Sequence, residues 1–261
     1  MIANSFPFYK HWFSDYVRTF LGNGAGDENI RLKIDHTLRV CDEITLLGSS
    51  LGLIGRELVL AQICALFHDI GRFEQYKRYA TFADHESEDH ARLGVAVLQK
   101  QDALRHMPDA EKELVIQVIA CHNHARLPRD LRDPALFYAR LLRDADKLDI
   151  WRVVVEYYLR REHEPNAVIE LNLPDTPSIS PEVLNDLKAG QIVTRQYIHN
   201  LNDFKLLQVG WIYDVNFPIT YRIVKERNYL NSILDKITST PELTEARLAV
   251  EAFLNQKLSA Q

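Results

Sequence analysis

The chain has 261 residues, 46% of them hydrophobic and 26% charged, with a formal net charge of −5. That length suits one large domain or a domain with an appended subdomain. The charge balance offers no basic field for a nucleic-acid polymer or an anionic membrane surface.

Residues 1–20 mix Lys10, His11, Asp15 and Arg18 into an amphipathic pattern, which reads neither as a secretory signal nor as a membrane span. The longest apolar stretch, residues 58–67, is interrupted by Gln62 and is too short to cross a bilayer. Cys41, Cys64 and Cys121 lie far apart, each within an apolar helical pattern. An odd, widely spaced set argues against a disulfide framework and for reduced core thiols in a cytoplasmic protein.

Helical periodicity runs almost throughout, and no series of alternating segments suggests a sheet. Residues 8–21 read as a first helix, closed by Gly22-Asn23-Gly24-Ala25-Gly26. Asp27 is placed to cap a second helix over residues 28–47. That helix is apolar on two sides, as a central helix would be, and His36 lies in its second apolar stripe. Residues 58–70 are nearly all apolar and deliver His68-Asp69 at their end, with Gly71 as the expected helix stop. Residues 72–84 are polar and aromatic and read as irregular. Residues 86–100 read as a helix carrying His90, and residues 111–122 as a helix with His122 on its apolar stripe. A loop over residues 126–133 leads to a long helix at residues 135–161. Asp146 there occupies an otherwise apolar row, while Asp144 is assigned to the surface. Residues 164–181 contain Pro165, Pro174, Pro177 and Pro181 and read as an excursion or small flap. Helices over residues 181–201, 216–238 and 241–259 complete the chain. The expected division is an N-terminal helix in residues 1–27, a core at 28–160 and a C-terminal helical extension at 161–261.

The histidines and aspartates give the clearest chemical signal. His36, His68, Asp69, His90, His122 and Asp146 are nitrogen and carboxylate donors, most of them on apolar faces. Buried imidazoles and carboxylates are costly unless paired, and a metal ion is the simplest common partner. Asp69 is expected at a helix C-terminus, where the dipole disfavours a carboxylate unless a cation compensates. Asp149, one turn after Asp146, is placed to hold a ligand, a water or Arg152. Glu86, one turn before His90, is placed to orient it. His122 and His124 compete for one ligand position. His124 is also a candidate general acid.

Three segments carry a family resemblance. They are Lys33-Ile34-Asp35-His36-Thr37-Leu38-Arg39-Val40, Leu66-Phe67-His68-Asp69-Ile70-Gly71-Arg72, and Arg143-Asp144-Ala145-Asp146-Lys147-Leu148-Asp149. Together they resemble the HD-domain superfamily of metal-dependent phosphohydrolases, over about residues 28–160. The resemblance implies an all-α helical bundle in which His36, His68, Asp69 and Asp146 hold one divalent ion. In the two-metal members, Asp69 would bridge to a second ion held by His90 and His122. Manganese, iron, magnesium, cobalt, nickel and zinc all suit such donors. The implied reaction is hydrolysis of a small phosphorylated metabolite or nucleotide by a hydroxide generated at the metal. Asp69, His124 and Lys147 are the implied catalytic positions, and Arg72, Lys77, Arg126 and Arg129 the candidate phosphate contacts. A homodimer is compatible with the extension. The Gly-Tyr-Pro signature of the cyclic-di-GMP-hydrolysing branch is absent after His122, and no alarmone synthetase domain accompanies the core. A di-iron oxygenase and a non-catalytic nucleotide-binding module are the competing readings.

Overall fold

The computed structural model describes residues 5–22 and 27–260. Every regular element among them is helical. The chain divides into two compact units, residues 1–149 and 150–261. The glycine-rich closure expected after the first helix falls at residues 23–26, outside the described residues. No described helix is long and apolar enough to cross a membrane.

In the first unit, α1 (Phe6–Arg18) buries Tyr9, Phe13 and Val17. Tyr9 meets Phe67 edge-on at 6.0 Å, and Phe13 meets Phe73 at 5.9 Å. α2 (Asp27–Ser50) buries Ile30, His36, Val40, Ile44 and Leu47 along one side. Asp27 is the first residue of this helix, and its carboxylate accepts the Gly22 backbone N–H at 3.1 Å. α3 (Gly55–Phe67) is buried continuously from Ile63 to Phe67 and packs against α1, α2 and α6 (Asp109–Cys121). A helix apolar on every side can only be central, so the donor pair at its end is delivered into the interior. Arg56 at the start of α3 grips Glu111 at the start of α6 with two nitrogens.

Gly71 does not stop the third helix. α3 ends at Phe67, and Gly71 opens α4 (Gly71–Tyr79), in the stretch expected to be irregular. The reason lies across the helix pair. A Cβ on Gly71 would sit 2.2 Å from the His90 carbonyl oxygen and 2.5 Å from the Gly94 nitrogen. Glycine is thus required for the close approach of α4 to α5 (His90–Lys100), and not for a left-handed turn. α5 starts at His90 rather than residue 86, because the Asp89 carboxylate caps it by accepting the Arg92 N–H at 2.9 Å.

α7 (Ala135–Arg160) contributes Leu141, Leu142, Ala145 and Leu148 to the interior. Asp144, expected at the surface, is fully buried. The first half of α7 is enclosed on several sides, so it has no consistent polar face.

In the second unit, residues 161–180 are pinned rather than free. Tyr157 Oη accepts the Asn166 N–H and donates to Glu170, which also receives Arg161. The helix expected over residues 181–201 is broken into α8 (Pro181–Lys188), a 3₁₀ turn and α9 (Leu201–Gly210). Asn200 caps α9 by accepting the Asp203 N–H. The helix expected over residues 216–238 divides at Asn228, whose φ is +53°, into α10 (Pro218–Glu226) and α11 (Tyr229–Leu234). A left-handed residue cannot continue a right-handed helix. α12 (Pro241–Ser259) has the expected bounds, with Thr240 as its cap.

Two outcomes follow from this packing. Gly71→Ala forces backbone against side-chain carbon and should cost about 1–3 kcal/mol, read as a lowered thermal midpoint. Gly22→Ala, with nothing within 4 Å of the added carbon, should leave it unchanged. The three thiols are free and buried. Burial pushes all three up, Cys41 to about 12. Near neutral pH they are thiols rather than thiolates, so a thiol-specific chromophore should label none of them in the native protein and all three after unfolding.

Candidate metal centre

His68 caps the end of α3, and Asp69 follows it in the two-residue junction before α4. His36 comes from the middle of α2, Asp146 from α7, His90 from the first position of α5 and His122 from the end of α6. Five separate elements therefore converge on one place. The six side chains form two clusters that share a single carboxylate.

In the first cluster, His36 Nε2 and Asp146 Oδ1 are 3.1 Å apart, and His36 Nε2 and Asp69 Oδ2 are 3.7 Å apart. His68 Nε2 lies 3.6 Å from both Asp69 Oδ2 and Asp146 Oδ1. In the second, His90 Nε2 lies 3.3 Å from Asp69 Oδ1 and 3.1 Å from His122 Nε2. His122 Nε2 is 3.9 Å from Asp69 Oδ1. Asp69 thus turns one oxygen to each cluster, and both clusters have donor atoms close enough to hold an ion.

The other nitrogen of each ring is already committed. His36 Nδ1 faces Asp149 Oδ2 at 2.7 Å, and His90 Nδ1 faces Asp84 Oδ2 at 2.8 Å. His68 Nδ1 faces the Ala65 carbonyl and His122 Nδ1 the Ile119 carbonyl, each at 2.7 Å. A carbonyl oxygen accepts only, so Nδ1 carries the proton in His68 and His122 and leaves Nε2 as a lone-pair donor. His36 Nε2, His68 Nε2 and Asp146 Oδ1 are buried, and none completes a well-aligned hydrogen bond. Buried polar atoms of this kind are rarely left unsatisfied. Two imidazole nitrogens and two carboxylate oxygens facing one point fit a divalent cation.

Electrostatics agree with the geometry. Burial opposes ionisation of Asp69, yet Lys33, His68, His122 and Arg72 outweigh it and hold the carboxyl well below the ordinary range. Asp146 is held low in the same way by His36 and His68. Burial, with the Arg72 charge, pushes His90 down to about 4, so its ring is neutral near pH 7. His36 goes the other way. Burial and Lys33 work against its protonation, but Asp146 and Asp149 prevail and raise it above 6.5.

Sequence reasoning missed Lys33, Asp84 and Arg39 as supporting groups. Lys33 Nζ is 2.7 Å from Asp69 Oδ2 and 5.4 Å from the centre of the Phe82 ring. It lies one turn before His36, and that spacing was the available signal. Asp84, not Glu86, orients His90. Glu86 faces His85 instead, because α5 begins after it and the 3₁₀ turn Asp84–Glu86 carries its side chain elsewhere. Asp149 binds His36 and Arg39, while Arg152 pairs with Glu156. Asp69 also escapes the purely unfavourable dipole expected of it, since α4 begins two residues later and turns a helix N-terminus toward the junction.

The remaining predicted positions are scattered. Arg72 Nε lies 3.4 Å from Asp69 Oδ1, and its terminal nitrogen donates to Gln75, the Phe82 carbonyl and Asp84. Lys147 is buried in α7 beside Asp146. Lys77 is exposed at the end of α4, over the Phe20 ring. His124, Arg126 and Arg129 are exposed in the turn after α6, whose end Arg143 pins by donating to the His122 and His124 carbonyls. Among the described residues, these four make no hydrogen bond or ion pair with the six donors.

Because Asp146 and Asp149 favour the protonated His36 ring, an ion entering the first cluster competes with a proton there. Manganese affinity measured by calorimetry should therefore weaken as pH is lowered from about 8 to 6, with proton release detectable as a dependence of the heat on the buffer.

No curated protein and no solved structure matches the chain. Residues 34–151 match the family model described as HD domain, and that span contains all six donors. The HD domain is a family of metal-dependent hydrolases, and the buried donors here can hold metal. The chain thus carries an HD domain over residues 34–151.

Proposed function

We propose that the protein is a metal-dependent phosphohydrolase acting on a small phosphorylated metabolite or nucleotide at a dinuclear centre. The observation that carries this reading is the shared Asp69, with Oδ2 turned to His36, His68 and Asp146 and Oδ1 to His90 and His122. Divalent ions held there would bind phosphate oxygens, acidify a water and stabilise the leaving oxygen. Two such ions against two ligand carboxylates leave a positive surplus, which favours an anionic ester over a neutral substrate.

The chain's own residues fall into distinct roles. His68 and His122 keep their protons on Nδ1 through backbone carbonyls, and so present Nε2 without further reorganisation. Asp149 and Arg39 hold His36 in place. Lys33 is the cation best suited to a substrate phosphate. Its side chain is 18% exposed, against 4% for Asp69, so it reaches the edge of the buried donors from outside. Arg72 is more constrained, since its terminal nitrogen is divided among three acceptors, and we assign it to holding Asp69 and Asp84.

Phosphate release from a panel of small monoesters and diesters, with manganese, magnesium, cobalt or nickel supplied to metal-stripped protein, tests the reading. Turnover with at least one of these metals is expected, and His68→Ala and Asp69→Ala should abolish it with helix content retained. Lys33→Met should lower kcat/KM roughly tenfold or more, the equivalent of losing a charge-assisted hydrogen bond of about 1.5–3 kcal/mol, and Lys33→Arg should restore part of it. No phosphate release with any metal, together with oxygen consumption by the iron-loaded protein, would overturn the hydrolase in favour of an oxygenase.

A further inference from the structure

Each donor cluster has one histidine whose second nitrogen meets a carboxylate, and in each case that carboxylate also holds an arginine. Asp149 takes His36 Nδ1 at 2.7 Å and Arg39 Nε at 2.6 Å. Asp84 takes His90 Nδ1 at 2.8 Å and Arg72 at 2.9 Å. The two assemblies have no residue in common. The first joins α2 to α7. The second joins the start of α4, the 3₁₀ turn and the start of α5. It also draws in Gln75, whose amide donates to Asp84 Oδ1 at 2.8 Å, and Asn123, whose amide lies 3.4 Å from Asp84 Oδ2.

We propose that Asp84 is the positioning residue of the second cluster, and that through His90 and Arg72 it sets occupancy of that cluster independently of the first. The inference rests on the dinuclear reading above and goes beyond it, since it assigns separate control to the two centres. Asp84 reaches both groups that meet Asp69 Oδ1 from its side of the site. His90 Nε2 lies 3.3 Å from that oxygen and Arg72 Nε 3.4 Å from it. Asp84 also spans the segment around the residue after His122, through Asn123. Its removal would free the His90 ring to rotate and to exchange tautomers, while Asp149, Arg39, His36, His68 and Asp146 keep their partners. Gln75 further ties this carboxylate down by donating to Ser87 Oγ and to the Glu88 carbonyl as well. The carboxylate is therefore anchored through Gln75 independently of the ring.

Manganese titration of the metal-stripped full chain tests this, read by calorimetry and by the paramagnetic resonance of spin-coupled manganese pairs. Wild type should take up two ions with a coupled signal. Asp84→Asn should bind the first ion with unchanged affinity, bind the second roughly 10–100-fold more weakly and lose the coupled signal. In a His90→Ala background, Asp84→Asn should cost nothing further, whereas Asp149→Asn should still weaken the remaining ion. Two ions bound by Asp84→Asn at wild-type affinity, or equal weakening of both, would overturn the assignment of Asp84 and leave the dinuclear reading standing. A wild type that never forms a coupled pair would overturn the dinuclear reading, and this inference with it. If circular dichroism shows Asp84→Asn unfolded, Asp84→Glu takes its place. It keeps the charge, shifts the carboxylate by one methylene and should show the same selective loss.

Discussion

The structure depends on one buried negative charge. Asp69 sits in the interior with both oxygens turned toward imidazole nitrogens, and a carboxylate there is tolerable only if cations surround it. Lys33 and Arg72 supply two from the protein, one at each oxygen. Four histidines and Asp146 complete the ring around it. The arrangement of α2 through α7 can be understood as the set of packings that bring these groups to that carboxylate.

The packing does this by economical means. α3 is apolar on all sides, so it is enclosed and its last turn delivers His68 and Asp69 inward. Gly71 and Gly94 carry no side chain at the crossing of α4 and α5, and this lets the start of α5 bring His90 to Asp69 Oδ1. Each ring then has one nitrogen fixed by a carboxylate or a carbonyl, which makes the other available. At the edge of these donors Lys33 pairs with Asp69 Oδ2 and lies over the Phe82 ring.

Much of this was legible in the residues themselves. The order of histidines and aspartates pointed to the side chains that converge, because polar residues on apolar helical stripes are rare and need a reason. The all-helical class followed from periodicity, and α12 could be bounded because Thr240 and Pro241 mark its start unambiguously. What could not be read were interactions between segments distant in sequence. Gly71 has the spacing of a helix stop, and only the carbonyl of His90 across from it shows why it is glycine. Glu86, one turn before His90, is the expected partner on a continuous helix, and the start of α5 at His90 gives that place to Asp84 instead. Asp144 looked exposed because the pattern of α7 was read as one apolar stripe, whereas the helix is enclosed more widely. Asn228 broke a helix through a left-handed backbone conformation that periodicity does not encode.

The central claim is that the two oxygens of Asp69 serve two separate cation positions. Anomalous diffraction from crystals of the manganese-loaded protein examines it directly. The account predicts two anomalous peaks on either side of the Asp69 carboxylate, one among His36, His68 and Asp146 and the other among His90 and His122. A lone peak touching neither Asp69 oxygen, or none within coordination distance of these side chains, would contradict it.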